Sequence, residues 1–370
     1  MEQAVTVLLS GLGFLGGVRM GRVLLRRGAT ADNLFQGRNW LSLTFLGVYV
    51  GLLVLVSYLS HVQALPIEWR VSGMQFTWTA MRVILVGFCG LAFVVTWRTA
   101  RLQVVVVALL GLLGLMAFHS SERYFLAPIY AGLEDNLQPN GIFRQTSDSS
   151  CAPAALASVL RRLNIDATES SVARLAGTSQ LGTSMPQLVG ALQQMNLDGM
   201  ELKPTWEQMR QINRPGVLAT WLELKRGRAP HAVGLLAMDD TTATIADPDR
   251  GKILRLSRAD FERIWRKQYL PIFRPGDTTL APADAARYLM QLGYLTASNS
   301  VSPDAIETAT RNFQAKMGLQ PTGKLDPQTV LLLSGSFLRD VPTLDRAIVT
   351  FPAIGLQQTA DSMGRIRWID

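Results

Sequence analysis

Long apolar stretches fill the first third of the chain and are missing from the rest. They lie at about residues 4–25, 40–60, 79–96 and 102–119. A helix that crosses a bilayer needs ~20 mainly apolar residues. The pattern therefore predicts an α-helical membrane region of four spans within residues 1–120. The stretch Trp40–Leu59 is the cleanest. The first stretch is cut short by Arg19 and Arg22, whose long side chains reach for an interface. Its positive charges follow the apolar part instead of preceding it, so it reads as a retained span and not as a cleaved secretion signal. Beyond residue 120 the apolar positions fall into the short alternations and helical periods of a water-soluble protein.

Charge gives the spans a direction. Arg19, Arg22, Arg26, Arg27 and Arg38 cluster between the first two spans, and Arg98 and Arg101 lie between the last two. Short loops rich in arginine stay in the cytoplasm. The loop from His61 to Thr77 then lies outside, as does everything after about residue 120. Even three crossings from a cytoplasmic first loop end outside. Trp40, Trp69, Trp78 and Trp97 sit near span ends, as interface aromatics do. The expected home is a bacterial inner membrane, multi-pass, with residues 120–370 in the periplasm.

The formal charge of +8 is concentrated in the same region: residues 1–127 hold ten arginines against four acidic residues, and the remainder holds 26 basic and 24 acidic ones. The basic balance therefore points to a lipid bilayer. It is poor evidence for nucleic-acid binding, since no aromatic-plus-basic stripe appears in the soluble part, and no nucleic-acid partner is expected. His61 and His119 flank spans and read as interfacial side chains. No His, Cys, Asp or Glu cluster has metal-ligand spacing, so neither a metal nor another cofactor is expected. Of the two cysteines, Cys89 lies inside an apolar run and reads as a small buried hydrophobe. The other, Cys151, rules out a disulfide framework in the soluble part, where it stands alone.

Cys151 begins a helical pattern in which Ala154, Ala157, Leu160 and Leu163 share a face. Pro153 suits the first turn, and Ser149 and Ser150 are candidate caps. A helix N-terminus favours negative charge, which is where a thiol gains most as a nucleophile. Such a thiol needs a base. His231, in RAPHAVGLLAM, is the single histidine of the soluble part and starts an apolar run that reads as a buried strand. After the turn Asp239-Asp240 comes a second strand, TATIADPDRG, ending at Asp247. Antiparallel pairing of the two sets Asp247 beside His231, where it orients the imidazole. Gln145, six residues before Cys151, is placed to donate its amide to an oxyanion.

Together, Gln145, Cys151, His231, DPDRG at Asp247 and the stretch GTSMPQLVGALQQMNL resemble the papain-like cysteine peptidase domain that trims double-glycine leaders from bacteriocins. The resemblance implies an α/β papain-like domain over residues 138–274, with Cys151 as nucleophile, His231 as base, Asp247 as orienter and Gln145 as oxyanion donor. The expected substrate is a peptide or protein. Two departures stand out. Members usually carry Gly after the cysteine, where this chain has Ala152, and no GxxxxGK[ST] nucleotide-binding loop occurs. The leader substrate is therefore not carried over.

Residues 280–336 read as three short helices, the second opened by Ser302-Pro303 and closed by Gly318, the third opened by Asp326-Pro327. LGYL at 292–295, RNFQ at 311–314, GLQPTGKLD at 318–326 and Thr329 resemble the small peptidoglycan-binding domain of many wall enzymes. That resemblance implies peptidoglycan as a partner. Residues 276–281 form the connecting linker, and the tail 337–370 is unassigned. The chain is thus expected to be a membrane-anchored periplasmic cysteine peptidase held near the wall. The alternative is a non-catalytic peptidoglycan-anchored scaffold of a secretion or envelope system, since a general-secretion-pathway assembly ATPase combines similar modules outside the membrane. A transporter fits less well, because the spans show no paired intramembrane charges in the sequence.

Overall fold

The structure is a computed structural model, and it describes residues 2–28, 30, 47, 51, 67–101, 103–225, 227–296, 302–339 and 341–345. It divides into two compact units, residues 1–127 and 128–370.

The first unit contains α1 (Glu2–Arg26), α2 (Ile67–Thr99) and α3 (Gln103–Leu126). Among the described residues, three segments are long and apolar enough to cross a membrane: Val5–Arg26, Trp78–Thr99 and Val104–Leu126. They correspond to three of the four expected spans. The remaining one, Trp40–Leu59, lies outside the described residues. Helices α1 and α2 meet at bare backbone. Gly13, Gly17 and Gly21 recur every four residues and so share a face. A Cβ on Gly17 would come within 1.9 Å of the Gly87 carbonyl, and one on Gly90 within 2.4 Å of the Phe14 carbonyl. Small residues allow such approach where lipid supplies no hydrophobic drive. Arg82 on α2 forms an ion pair with Glu122 on α3, which lies beyond the 102–119 stretch and inside the longer segment Val104–Leu126. The two lie 40 positions apart, so linear spacing gave no sign of the pair.

The second unit is built on a six-stranded antiparallel sheet. Its strands are β3 (Asp198–Gly199), β4 (Gly216–Glu223), β5 (Arg228–Met238), β6 (Thr242–Asp247), β7 (Lys252–Ser257) and β8 (Trp265–Phe273). Their spatial order is β3-β8-β4-β5-β6-β7. Alternate side chains of a strand face opposite sides. On β4 and β5, Val217, Ala219 and Ala232 enter one core, and Leu218, Val233 and Leu235 enter the other.

The first core packs α4 (Cys151–Arg162), α5 (Glu169–Ala176) and α6 (Met185–Gln194) onto the sheet. A small hairpin, β1 (Asn136–Leu137) with β2 (Phe143–Arg144), precedes them. The second core holds α7 (Trp206–Ile212), α8 (Arg258–Ile264) and three further helices, α9 (Pro282–Gln291), α10 (Pro303–Lys316) and α11 (Pro327–Ser334). These last three are the expected helices of the C-terminal module, with the expected stops and starts. Ser302 caps α10 through Ala305 N–H, Asp326 caps α11 through Thr329 N–H, and Gly318 follows α10 at φ +71°.

The module is fused to the sheet domain. Ala285, Leu289, Phe313 and Leu331 share one core with Trp206, Leu235 and Phe261. Polar ties reinforce it: Gln208 Nε2 donates to Met317 O at 2.6 Å and Asn213 Nδ2 to Gly335 O at 3.2 Å. The 276–281 segment is held too, since Asp277 accepts from the Arg274 amide and pairs with buried Arg214. The start of the tail joins the same core through Leu344, and Met238 N–H donates to its carbonyl at 2.8 Å. The remaining tail segments, AIVTF and GRIRWID, lie outside the described residues.

Candidate active site

Cys151 is the first residue of α4, as its helical pattern predicts. The serine caps do not form. Ser150 occupies the N-cap position, but its hydroxyl donates back to Ser147 O at 2.8 Å and accepts the Ser147 amide at 3.1 Å. Ser149 donates instead to Gln180 O at 2.7 Å. The Ser150 hydroxyl builds the turn before the helix and the Ser149 hydroxyl ties that turn to the loop at Gln180, so the first-turn amides are left uncapped by a side chain. Ala152 sits in the helix, buried in the first core.

Two contacts fix α4. Ser158 accepts the Phe143 amide at 2.9 Å and ties β2 to the helix. On β5, Gly234 lets the helix close in: a Cβ there would lie 2.8 Å from Val159 and 3.3 Å from Ala155 O. Ala155 is one helical turn beyond Cys151, and Gly234 is three residues beyond His231. This close approach brings the thiol to the start of the strand that carries the imidazole.

His231 on β5 and Asp247 at the end of β6 are nearly buried, at 7% and 5% exposure. His231 Nε2 and Asp247 Oδ1 are 2.9 Å apart. Cys151 lies close enough to the same ring to act on its protonation; with Nε2 engaged by Asp247, Nδ1 is the nitrogen left for the thiol. Burial by itself pulls the imidazole toward its neutral form. The hydrogen bonds and charges of Asp247 and Cys151 outweigh it and raise His231 to about 9. Asp247 is itself held: it accepts the Asp249 amide at 3.1 Å, and exposed Arg250 stands 3.6 Å from its other oxygen.

Gln145 reaches the same place by another route. Its amide N–H donates to Pro248 O, beside Asp247, at 2.9 Å. Its side-chain Nε2 donates to Ser147 O at 3.1 Å, and its Oε1 is buried with no hydrogen-bond partner. The sequence reading missed Glu169. This carboxylate is fully buried and accepts both the amide and the hydroxyl of Thr146, the residue after Gln145. In the sequence it looks like an ordinary acidic residue of a first helical turn. The described residues hold no group of His, Cys, Asp and Glu able to bind a metal. His119 lies 3.7 Å from Glu122 and is mostly exposed; His61 lies outside the described residues.

A thiol, an imidazole and a carboxylate in this order form the arrangement that activates a nucleophile. Residues 140–277 match the Peptidase C39 family, and residues 282–333 match a putative peptidoglycan binding domain. An uncharacterized protein of Methanothermobacter thermautotrophicus is 35% identical over 136 residues, which cover 37% of this chain and 90% of that one. Another, from Methanothermobacter marburgensis, is 34% identical over the same shares. The crystal structure of the peptidase domain of Streptococcus ComA, a bi-functional ABC transporter, is 20% identical with a TM-score of 0.33; the match covers 37% of this chain and 99% of that one. Through residues 140–277 the chain belongs to the Peptidase C39 family, and a peptidoglycan-binding domain follows directly.

Proposed function

We propose that the chain is a membrane-anchored cysteine peptidase that works at the cell wall, with residues beyond about 120 in the periplasm. The observation that carries this reading is the meeting of Cys151, His231 and Asp247 from three separate elements, with the imidazole raised to about 9. An imidazolium beside a thiol stabilises the thiolate. In the proposed reaction the sulfur attacks the scissile carbonyl and His231 Nδ1 gives its proton to the leaving amine. Water then hydrolyses the acyl-enzyme, with His231 as base. Asp247 keeps Nε2 protonated and the ring in place. Gln145 and the uncapped amides of the first turn of α4 are the proposed oxyanion donors. The arginine-rich loops and the peptidoglycan-binding domain support the periplasmic placement.

A second reading, a non-catalytic wall-anchored scaffold, is favoured by the Gln145 side-chain amide being already engaged by Ser147 O. Such folds are reused without their chemistry. Labelling the purified chain with an electrophilic, thiol-directed peptidase probe separates the two. The peptidase labels at Cys151, and His231→Ala loses most of the label. Labelling that is slow and indifferent to His231 would leave the scaffold.

A further inference from the structure

Next to His231 the sheet carries a feature that the proposed chemistry does not use. Thr220 pairs with His231 and Trp221 with Pro230, so β4 continues past the site as a two-stranded ribbon with β5. On the other side of β4 the register breaks at this level. Ala219 pairs with Gln268, yet Thr220 pairs with Trp265, which leaves Arg266 and Lys267 as a two-residue bulge. Bulges beside active sites re-aim side chains. Here they aim two cations over aromatic rings on opposite faces of the sheet, since Trp221 shares the alternation of Val217 and Ala219 while Trp265 packs into the second core. The Arg266 guanidinium lies 4.6 Å from the Trp221 ring centre and the Lys267 ammonium 4.6 Å from that of Trp265.

Lys225 and Arg228 stand at the far end of the same ribbon. The acidic groups nearby are spoken for: Glu223 pairs with Arg228 at 3.4 Å and Glu201 accepts from Gln268 at 2.9 Å. Among the described residues, Arg266, Lys267 and Lys225 have no carboxylate partner. Burial also lowers the Arg266 pKa, as expected of a cation that has lost water and gained no anion. The patch is not oily: Leu224, half exposed, is the large apolar side chain open at the ribbon end.

We infer that Arg266, stacked on Trp221 at the ribbon, forms a cationic shelf that selects peptides bearing acidic residues three to four positions from the scissile bond. The inference rests on the peptidase reading and names its substrate class. From the register, the shelf lies roughly 10–15 Å from the His231 ring, or about three to four residues of extended peptide at ~3.3 Å each. An acidic side chain at that offset meets a guanidinium already stacked and pre-oriented, so little ordering is lost on binding. The ionic contact is partly screened, so its discrimination is modest and falls with salt.

The test is a binding measurement, independent of cleavage. Full-length chain in neutral detergent, carrying Cys151→Ala, is titrated against three fluorescein-labelled alanine-rich decapeptides with a central Glu-Glu, Gln-Gln or Lys-Lys pair. The Glu-Glu peptide binds about fivefold tighter than the Gln-Gln peptide at low salt, and 0.5 M salt removes the difference. Arg266→Ala removes it too, whereas Lys267→Gly, a change on the other face at a backbone of φ +61° that glycine accepts, leaves it. Arg266→Glu inverts the preference toward Lys-Lys, which a misfolded chain does not do. Equal affinity for all three peptides, or a Glu-Glu preference that survives Arg266→Ala, overturns the shelf. So does a shelf that binds phosphatidylglycerol micelles but shows no Glu-Glu preference, which assigns the patch to lipid headgroups. A confirmed preference without hydrolysis by the wild-type chain would retire the peptidase reading and keep the shelf as a peptide-binding surface.

Discussion

Asp247→Asn isolates the charge at the site from its geometry. Asparagine keeps an oxygen that can accept the Nε2–H of His231, so the ring stays oriented while the negative charge goes. In the wild type the imidazole is raised from 6.5 to about 9, which corresponds to roughly 3 kcal/mol at about 1.4 kcal/mol per pH unit. Loss of a contacting carboxylate removes roughly 1–3 pH units of that rise. The Asp247→Asn imidazole should therefore titrate at about 6–8, and adding Cys151→Ala should take it below 6.5, because burial alone then acts. The sign of the stability effect follows. A raised base stabilises the fold in full below 6.5, and that contribution fades as pH rises through about 9. Wild type should lose stability on going from pH 6 to pH 9.5 by up to about 3 kcal/mol, and Asp247→Asn by much less. The assay is NMR of the histidine Cε1–H signals of the full chain, which has three histidines, with His231→Gln for assignment. A wild-type His231 that titrates at or below 6.5, or one that Asp247→Asn leaves unmoved, refutes the account of the site.

Gln145→Ala should leave alkylation of Cys151 by iodoacetamide within about twofold of wild type, yet cut hydrolysis of any cleaved peptide by roughly 10²–10³, the usual effect of losing one oxyanion donor. Gly234→Ala puts a methyl against Val159 and the Ala155 carbonyl; it should cost about 1–3 kcal/mol in urea unfolding and slow Cys151 labelling as α4 lifts. Glu169→Gln should weaken the hold on Thr146 and lower stability by about 1–3 kcal/mol in the same assay, since an amide cannot accept both bonds. Gly17→Leu, placed against the Gly87 carbonyl, should part α1 from α2 and lower the melting temperature of the detergent-solubilised chain, whereas Gly11→Leu, with open space around it, should not.

What could be read in the sequence was what local pattern encodes. The membrane helices came from runs of apolar residues, the start of α4 from Pro153 and its alanine-leucine face, and the starts of α10 and α11 from Ser302 and Asp326. His231 and Asp247 were placed together because a short turn between two apolar runs leaves one antiparallel pairing. The rest depends on partners far apart in the chain. Arg82 and Glu122 meet across two helices, and Glu169 meets Thr146 across 23 positions. The Ser149 and Ser150 hydroxyls passed for caps because composition cannot tell a cap from a turn that uses the same groups. The linker at 276–281 looked like a spacer by composition, yet tertiary packing holds both of its sides to one core.

That shared core makes the C-terminal helices and the sheet a single folding unit. Its heat or urea unfolding is one cooperative transition, and damage far from the thiol, such as Phe313→Ala, lowers the population of the competent site as surely as damage beside it. Severing the backbone between residues 276 and 281 would not release two bodies. The nicked halves would stay together, as two chains of one protein, through the leucines and phenylalanines they bury in common.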